Sequence, residues 1–579
     1  MYKKRFSVSI VSVMLWQLLG QSVAHAEISY KAAMDVIAQC QDDGDVEASK
    51  IKSAVEVLKK KAESGDVEAQ VQLGDLYADS VCVSDGDTKQ AVTWYSKAAN
   101  AGDVEAQSRL GGLYYSQEDY TKSAEWYEKA AAKNDVNAAY ILGILYTKGK
   151  GLAKNETLAT QWFNQYGKSD AKNLAIVGAL FADGYDVPQD YKKAMDWYLR
   201  ADKKGDNQAK YSIGELYANG NGVPKDNKMA SEWFSKWAEN GVLADKTNLG
   251  HMYRDGYVVA QDYQQAMDWY LKAEALGDAE AINNVAWLYQ EGKGVTQDYA
   301  VALERYRKSA AKGDAYGQYQ IGWFYEYAHG VPQDDKQAWA WYQKAAQQGD
   351  ADGEYKVGWF YDNGVTVPEN SKKAFAWIAR AAMQGTSKEA QAYLGWMYEQ
   401  GRGVEKNDKK AVYWYRNAAI GKNVTGQYNL ALAYANGTGV KQDDLKANLW
   451  YMLAAAQKDA DAQYNLGNRY ESGQGFTVNH QKAIQYYRLS AAQGNVDAQN
   501  NLGYKYQNGE GLKESSIMAY ALYRVSANKD VSNDGKAKIN LKDIAKTMQK
   551  ADIAKAEQLA LEMEKPSNLL NTIDTFSKN

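Results

Sequence analysis

A glycine or alanine, preceded by an aliphatic residue and followed three places on by Tyr or Phe, recurs at Gly74, Gly111, Gly143, Gly178, Gly214, Gly250, Ala286, Gly322, Gly358, Gly395, Ala431, Gly467 and Gly503. Between Gly178 and Gly503 the spacing is 36 residues, with one extra residue before Gly395. A fixed period of this length marks a solenoid, in which each repeat buries its apolar face against the next. It also removes a single compact core from consideration for a chain of 579 residues.

Counting positions from this anchor, each repeat reads as two helices. Around Gly214, the residues Ala209, Ile213, Leu216 and Tyr217 fall on one side of a first helix. The chain breaks at Gly220-Asn221-Gly222, Pro224 follows, and Asp226 opens a second helix. Twelve residues after their anchors, Asn155, Asp190, Asp262, Asp298, Asp334, Asn370, Asn407, Asp443, Asn479 and Ser515 occupy the same place. All are residue types whose side chains cap a helix N-terminus. The second helix carries Ala at +16 and aromatics at +19 and +20, as in Ala338, Trp341 and Tyr342. Both aromatics are expected in the inter-helix core, Trp341 included. Gly205, Gly277, Gly313 and Gly349 end such helices and suit a left-handed C-terminal cap. The 17 Trp and 45 Tyr, against only 5 Pro, fit a stack of helices with aromatic seams.

The pattern Leu-Gly-x-x-Tyr, Gly-x-Gly-Val, Ala-x-x-Trp-Tyr-x-Lys-Ala-Ala resembles the Sel1-like repeat, a relative of the tetratricopeptide repeat. Residues Leu394 to Tyr398, Gly401 to Val404 and Ala411 to Ala419 match it closely. The resemblance implies an all-α fold, a right-handed superhelical α-solenoid of about thirteen helix-turn-helix repeats covering 65–529. It also implies a binding scaffold, because the shared residues are structural ones. Residues 27–64 are expected to form an N-terminal capping segment, helical from Ile51 to Ala62, and 530–579 a C-terminal cap, helical from Asn540 to Glu564.

Residues 1–26 read as a secretory signal: Lys3, Lys4 and Arg5, an apolar run from Val8 to Leu19, then Ala24-His25-Ala26. Its removal takes three positive charges and no acid, moving the formal charge from −4 to −7. A mildly acidic mature chain disfavours nucleic acid as partner and offers no polybasic patch for anionic lipid. No later segment is apolar enough to span a membrane. Export to a bacterial periplasm, or secretion, is the expected localisation. There, Cys40 and Cys82 read as a disulfide worth at most ~4 kcal/mol by loop closure.

Catalytic chemistry finds little support. His251, His329 and His480 lie two to four repeats apart, too far for a shared metal or nucleophile site. Some relatives have carried a penicillin-hydrolysing label, but the Ser-x-x-Lys matches at Ser49, Ser169 and Ser526 lack the accompanying Ser-Asp-Asn and Lys-Thr-Gly elements. No phosphate-binding loop, calcium loop or other cofactor motif is present. The expectation is a protein without catalytic activity or cofactor.

On the first helix, positions −3, +1 and +4 point away from the expected core. Position +1 is Trp in four consecutive repeats: Trp287, Trp323, Trp359 and Trp396. Tyr319 and Tyr355 stand at −3, and Glu326, Asp362 and Glu399 at +4. These nine residues form either an aromatic ladder edged with acid on a concave face, suited to a partner protein with basic groups, or packing between neighbouring repeats. Asn248, Asn284, Asn429, Asn465 and Asn501, at −2, are expected to satisfy carbonyls within the solenoid. The expected function is a periplasmic scaffold holding another protein. One variant is an immunity protein that neutralises a lipase-type toxin of a type VI system. A different class is glycan binding, with the Trp ladder stacking on peptidoglycan sugars.

Overall fold

A computed structural model of the protein describes residues 29–43, 46–78, 82, 87–529 and 535–578; the expected signal segment lies outside them. The described residues hold 31 helices and no strand. The chain divides into two compact blocks, residues 1–261 and 262–579. Each block is an α-solenoid of paired helices, such as Asn207–Asn219 with Asn227–Asn240 in the first and Ala351–Asn363 with Ser371–Met383 in the second.

The pairing within a repeat depends on the small anchor. A Cβ added to Gly322 would stand 2.7 Å from Cδ1 of Tyr342, and one on Gly214 would stand 2.7 Å from Cε1 of Phe234. The +20 ring therefore lies flush on the first helix where no side chain intervenes. The +20 rings Tyr270, Tyr306, Tyr342, Tyr415, Tyr451, Tyr487, Tyr523, Phe163 and Phe234 are among the largest fully buried side chains. A buried hydroxyl needs a partner; in four repeats position +4 supplies it, and Tyr487 instead donates to Asn468 at +1 (2.7 Å). Tyr306 donates to Gln290 (3.0 Å), Tyr415 to Glu399 (2.7 Å) and Tyr523 to Gln507 (2.8 Å), and Tyr342 donates to Glu326.

The Trp at +19 behaves differently from its neighbour. Trp197 and Trp269 are buried, but Trp341, expected in the core, is only half-buried. Position +19 lies at the rim of the helix pair, and a cation one turn later covers its outer face. Lys344 Nζ is 3.8 Å from the Trp341 ring centroid, Lys272 Nζ 3.7 Å from Trp269, and Lys129 Nζ 3.7 Å from Trp126. The long side chain covers the ring while its charge stays in water.

Buried glutamines join successive repeats. Gln70, Gln107, Gln427, Gln463 and Gln499, all at −4, each donate to an alanine carbonyl near the end of the preceding second helix, at 2.9–3.3 Å. Gln427 and Gln463 also accept from Gln457 and Gln493, each at 2.9 Å.

Capping follows the sequence closely. The side chains of Asn155, Asp190, Asp226, Asp334 and Asn407 accept backbone N–H bonds at the starts of their second helices, and Ser515 accepts from Met518. Helices Tyr30–Asp43 and Ala48–Glu63 precede the first repeat, and the Cys40–Cys82 disulfide is formed. At the other end, 540–564 is not one helix. The backbone turns extended at Met548, separating Lys536–Thr547 from Lys550–Met563, and Leu569–Lys578 follows. Ile544, Ala556, Ala560, Met563 and Ile573 pack there with Met518, Leu522 and Tyr523 of the last repeat. No helix among the described residues is long and apolar enough to cross a membrane.

Tyr342→Ala should therefore cost about 3–5 kcal/mol in urea unfolding, while Trp341→Ala, at the half-exposed rim, should cost about 1–2 kcal/mol. Equal losses would show that the two rings share one core.

Candidate functional site

All nine residues of the expected ladder lie in the second block, on the first helices Ala279–Glu291, Ala315–Glu326, Ala351–Asn363 and Lys388–Gln400. The last two of these helices touch each other directly. Their anchors face the second helices, so position +1, one residue on, turns toward the rim. Trp287, Trp323, Trp359 and Trp396 are each half-buried, so each ring both packs and presents a face.

Trp323 has the most developed surroundings. The imidazole of His329 stacks on it at 4.4 Å between centroids, and on its other side stacks on Tyr299 at 4.6 Å. Tyr327, half-exposed, lies 5.5 Å from Trp323. Trp287 meets Tyr263 at 6.5 Å, and Trp396 meets Tyr393 at 5.1 Å. Tyr319 lies against Tyr342 (5.6 Å) and Tyr355 against Tyr393 (5.9 Å), both half-buried. Burial pushes the Tyr319 and Tyr355 hydroxyls well above their ordinary pKa.

The expected acidic edge is taken up inside the protein. Glu326 accepts from Tyr342 and pairs with Lys356 at 2.8 Å, and Glu399 accepts from Tyr415. Asp362 is 1% exposed and is held by Arg402 (2.8 Å) and the Tyr393 hydroxyl (2.7 Å). These three carboxylates serve the fold, and a preference for basic partners does not follow from them. Negative potential near Tyr319 comes from Asp350 and Asp352 at the start of the next helix. Asp350 caps that helix through Gly353 N–H at 2.7 Å, and burial pushes its pKa up to about 6.

Three members of this surface had no signal at the ladder's register. Lys356, between Trp359 (5.6 Å) and the Tyr327 ring (5.2 Å), stands at −2, the register of the asparagines and not of the ladder. Tyr327 caps its helix, and His329 lies in the loop. The detectable clue was Ala328. It stands at +6, where the other repeats from Gly149 onward carry glycine, and its φ of 58° is left-handed. Of the −2 asparagines, Asn284 and Asn465 donate to carbonyls of their own helices at 2.8 and 2.9 Å, as expected, whereas Asn501 donates to the side chain of Asn468 at 3.3 Å. Among the described residues, no group of three or more His, Cys, Asp or Glu is placed to hold a metal ion.

The Sel1 repeat family model matches thirteen times, from 67–103 through to 496–531, without a gap of more than seven residues between matches. The chain is a Sel1 repeat protein. It is similar to a protective antigen of uropathogenic Escherichia coli with an SLR fold, at 30% identity over 79% of this chain and 97% of that one, TM-score 0.48. A Sel1 repeat protein of Oxalobacter formigenes shares 27% identity over 57% of this chain and 93% of that one, TM-score 0.46. An immunity protein of Pseudomonas aeruginosa shares 21% identity over 37% of this chain and 81% of that one, TM-score 0.27. A search of curated proteins returns no match. Sel1 repeat proteins are generally protein-interaction scaffolds.

Two measurements follow from the site's backbone and charge. Ala328→Gly should raise stability by about 0.5–1 kcal/mol, the left-handed strain less the added entropy of glycine; a loss would show that the alanine is not strained. Asp350 is protonated more readily when folded, so its contribution is full below about pH 4 and lost as pH rises through about 6. Asp350→Asn keeps a capping side chain, as Asn423 and Asn495 do in other repeats. It should gain about 2 kcal/mol at pH 8 and nothing at pH 4.

Proposed function

We propose that this Sel1 repeat protein is an exported, non-catalytic scaffold whose second block holds a partner protein against the first-helix face bearing Trp287, Trp323, Trp359 and Trp396. The observation that carries the reading is the ladder's half-burial at one register over four successive repeats. Each ring is fixed by packing, so little side-chain entropy is lost when its free face is covered, and aromatics of this kind dominate binding hot spots. The first block has Asp75, Gly112, Ile144, Ala179, Glu215 and His251 at the same position, so the ladder is a local feature and not a requirement of the repeat. The Cys40–Cys82 disulfide supports an oxidising compartment such as the periplasm.

The partner surface that fits is apolar at its centre, with polar groups to meet Tyr327 and Asp352. Crosslinking from periplasm with residues 27–579, compared with the double variant Trp323→Ala, Trp359→Ala, tests this. A protein captured by the parent and lost by a folded double variant is the expected result. Capture unchanged by the double substitution would move the binding surface elsewhere. Binding of purified peptidoglycan that the same variant loses would instead assign the ladder to glycan stacking.

A further inference from the structure

Position +17, on the second helix, is where one repeat meets the +3 aromatic of the next. Met195, Met267 and Leu303 stand there and are buried. Trp339 lies 5.3 Å from Tyr361 across that junction, and Phe375 lies 5.5 Å from Tyr398. Where the residue is polar it still reaches across: Ser231 bonds to the hydroxyl of Tyr253, and Asn448 donates to the carbonyl of Gln474 at 3.0 Å. Thr160 is the exception. Its hydroxyl turns back to the carbonyl of Glu156 in its own helix at 2.8 Å. The aromatic it faces is Phe181, the one +3 residue without a hydroxyl.

A cleft of about 210 Å³ opens at this junction, between helices Glu156–Tyr166 and Tyr191–Lys203, and Thr160, Phe163, Phe181 and Trp197 line it. Phe163 stands edge-on to Phe181 at 6.0 Å and to Trp197 at 5.9 Å. The three rings are themselves packed, at 1–4% exposed, so the cleft reaches their edges, and Thr160 and the charged side chains at its mouth form the rest of its wall. An apolar cavity of about 150 Å³ is enough to hold a benzene ring, so a single substituted ring fits. Two ion pairs border the mouth, Lys193–Glu156 at 3.0 Å and Arg200–Asp196 at 2.7 Å. Their cations already lie over rings, Arg200 over Trp197 at 4.4 Å and Lys193 over Phe181 at 5.6 Å. A further ring placed between them would meet positive charge at its electron-rich face.

The protein itself shows what this space accepts, since Trp339 and Phe375 fill the corresponding place two and three repeats into the second block. We propose that the cleft at Thr160 is a docking site for one aromatic side chain of a partner polypeptide, which completes from outside the seam that other repeats complete from within. The site lies in the first block, apart from the Trp ladder, and does not depend on the ladder's role.

The test uses 4-methylphenol and the capped tripeptide acetyl-Gly-Tyr-Gly-amide as probes, titrated against the mature chain by ligand-observed NMR. Both should bind with dissociation constants of about 1 mM or below. Thr160→Met, which installs the side chain found at position 195, should weaken both about tenfold or more and raise Tm by a few degrees. Phe181→Tyr should weaken them as well, because the added hydroxyl enters the same space; it serves if Thr160→Met does not fold. Absence of binding by the parent at about 10 mM probe, or equal binding by all folded variants, overturns the proposal. Binding of 4-methylphenol without the tripeptide overturns the polypeptide source and assigns the cleft to a free small aromatic.

Discussion

The seating of one ring per repeat on a stretch of helix that has no side chain sets the terms for everything else in this protein. Because Gly322 carries no Cβ, Tyr342 lies directly on its partner helix, and because Tyr342 is then wholly buried, its hydroxyl must be satisfied from inside. Glu326, one turn after the anchor, meets that demand. The same requirement fixes Gln290, Glu399 and Gln507. A glutamate or glutamine at +4 thus answers a tyrosine at +20 in these four repeats, while Tyr487 uses Asn468 at +1. The repeat at Gly358 shows the rule by breaking it: Ile378 replaces the tyrosine, and Asp362 binds Arg402 and Tyr393 instead.

Much of the fold was legible because its signals are local. An Asp or Asn at +12 caps N–H groups two or three residues away, and glycines at the loops take left-handed φ whatever the next repeat does. Features that depend on a neighbouring element were not legible. Trp341 and Tyr342 are adjacent in sequence and aromatic, yet only the geometry of the helix pair puts one in the core and the other under Lys344. The acids of the ladder looked like an exposed edge because a helical wheel shows direction but not what arrives from the next helix. Asn540 to Glu564 has one helical periodicity, but packing on the last repeat needs two helices at different angles.

Between repeats the protein relies on polar links as much as apolar ones. Gln427 and Gln463 each spend the amide on the last turn of the preceding repeat and the carbonyl on a glutamine at the end of their own repeat's second helix, so neither group is buried without a partner there. Such a link is directional and repeats with the lattice. A solenoid can therefore keep register with small or alanine-rich seams where an apolar seam alone would allow sliding. Glu354 takes the glutamine's place once, and there the link becomes ionic, with Arg380 and Gln384 closing on the carboxylate.

Several departures from the repeat's own rules fall close together, although Val258, with φ of 68° at the register of Thr366, and Ala139, Leu174, Lys210, Lys246 and Ile282 at −4 lie elsewhere. Ala328 for glycine, Thr366 with φ of 59° where glycine is usual, Glu354 for glutamine and Ile378 for tyrosine all fall between residues 322 and 402. So do Trp323, Trp359 and Trp396, the His329 stack and the buried Asp362–Arg402 pair. Buried charge also occurs at Arg469 and Lys505, and left-handed backbone at Val258, but only these copies join both to the Trp register. Local rules are broken together where a surface has a task that packing does not set. The same reasoning applies in the first block to Thr160 and Phe181, two departures that meet across one junction and open a cleft there. In both places the exceptions, being residues the repeat pattern does not call for, are what distinguish this chain from a generic stack of helix pairs.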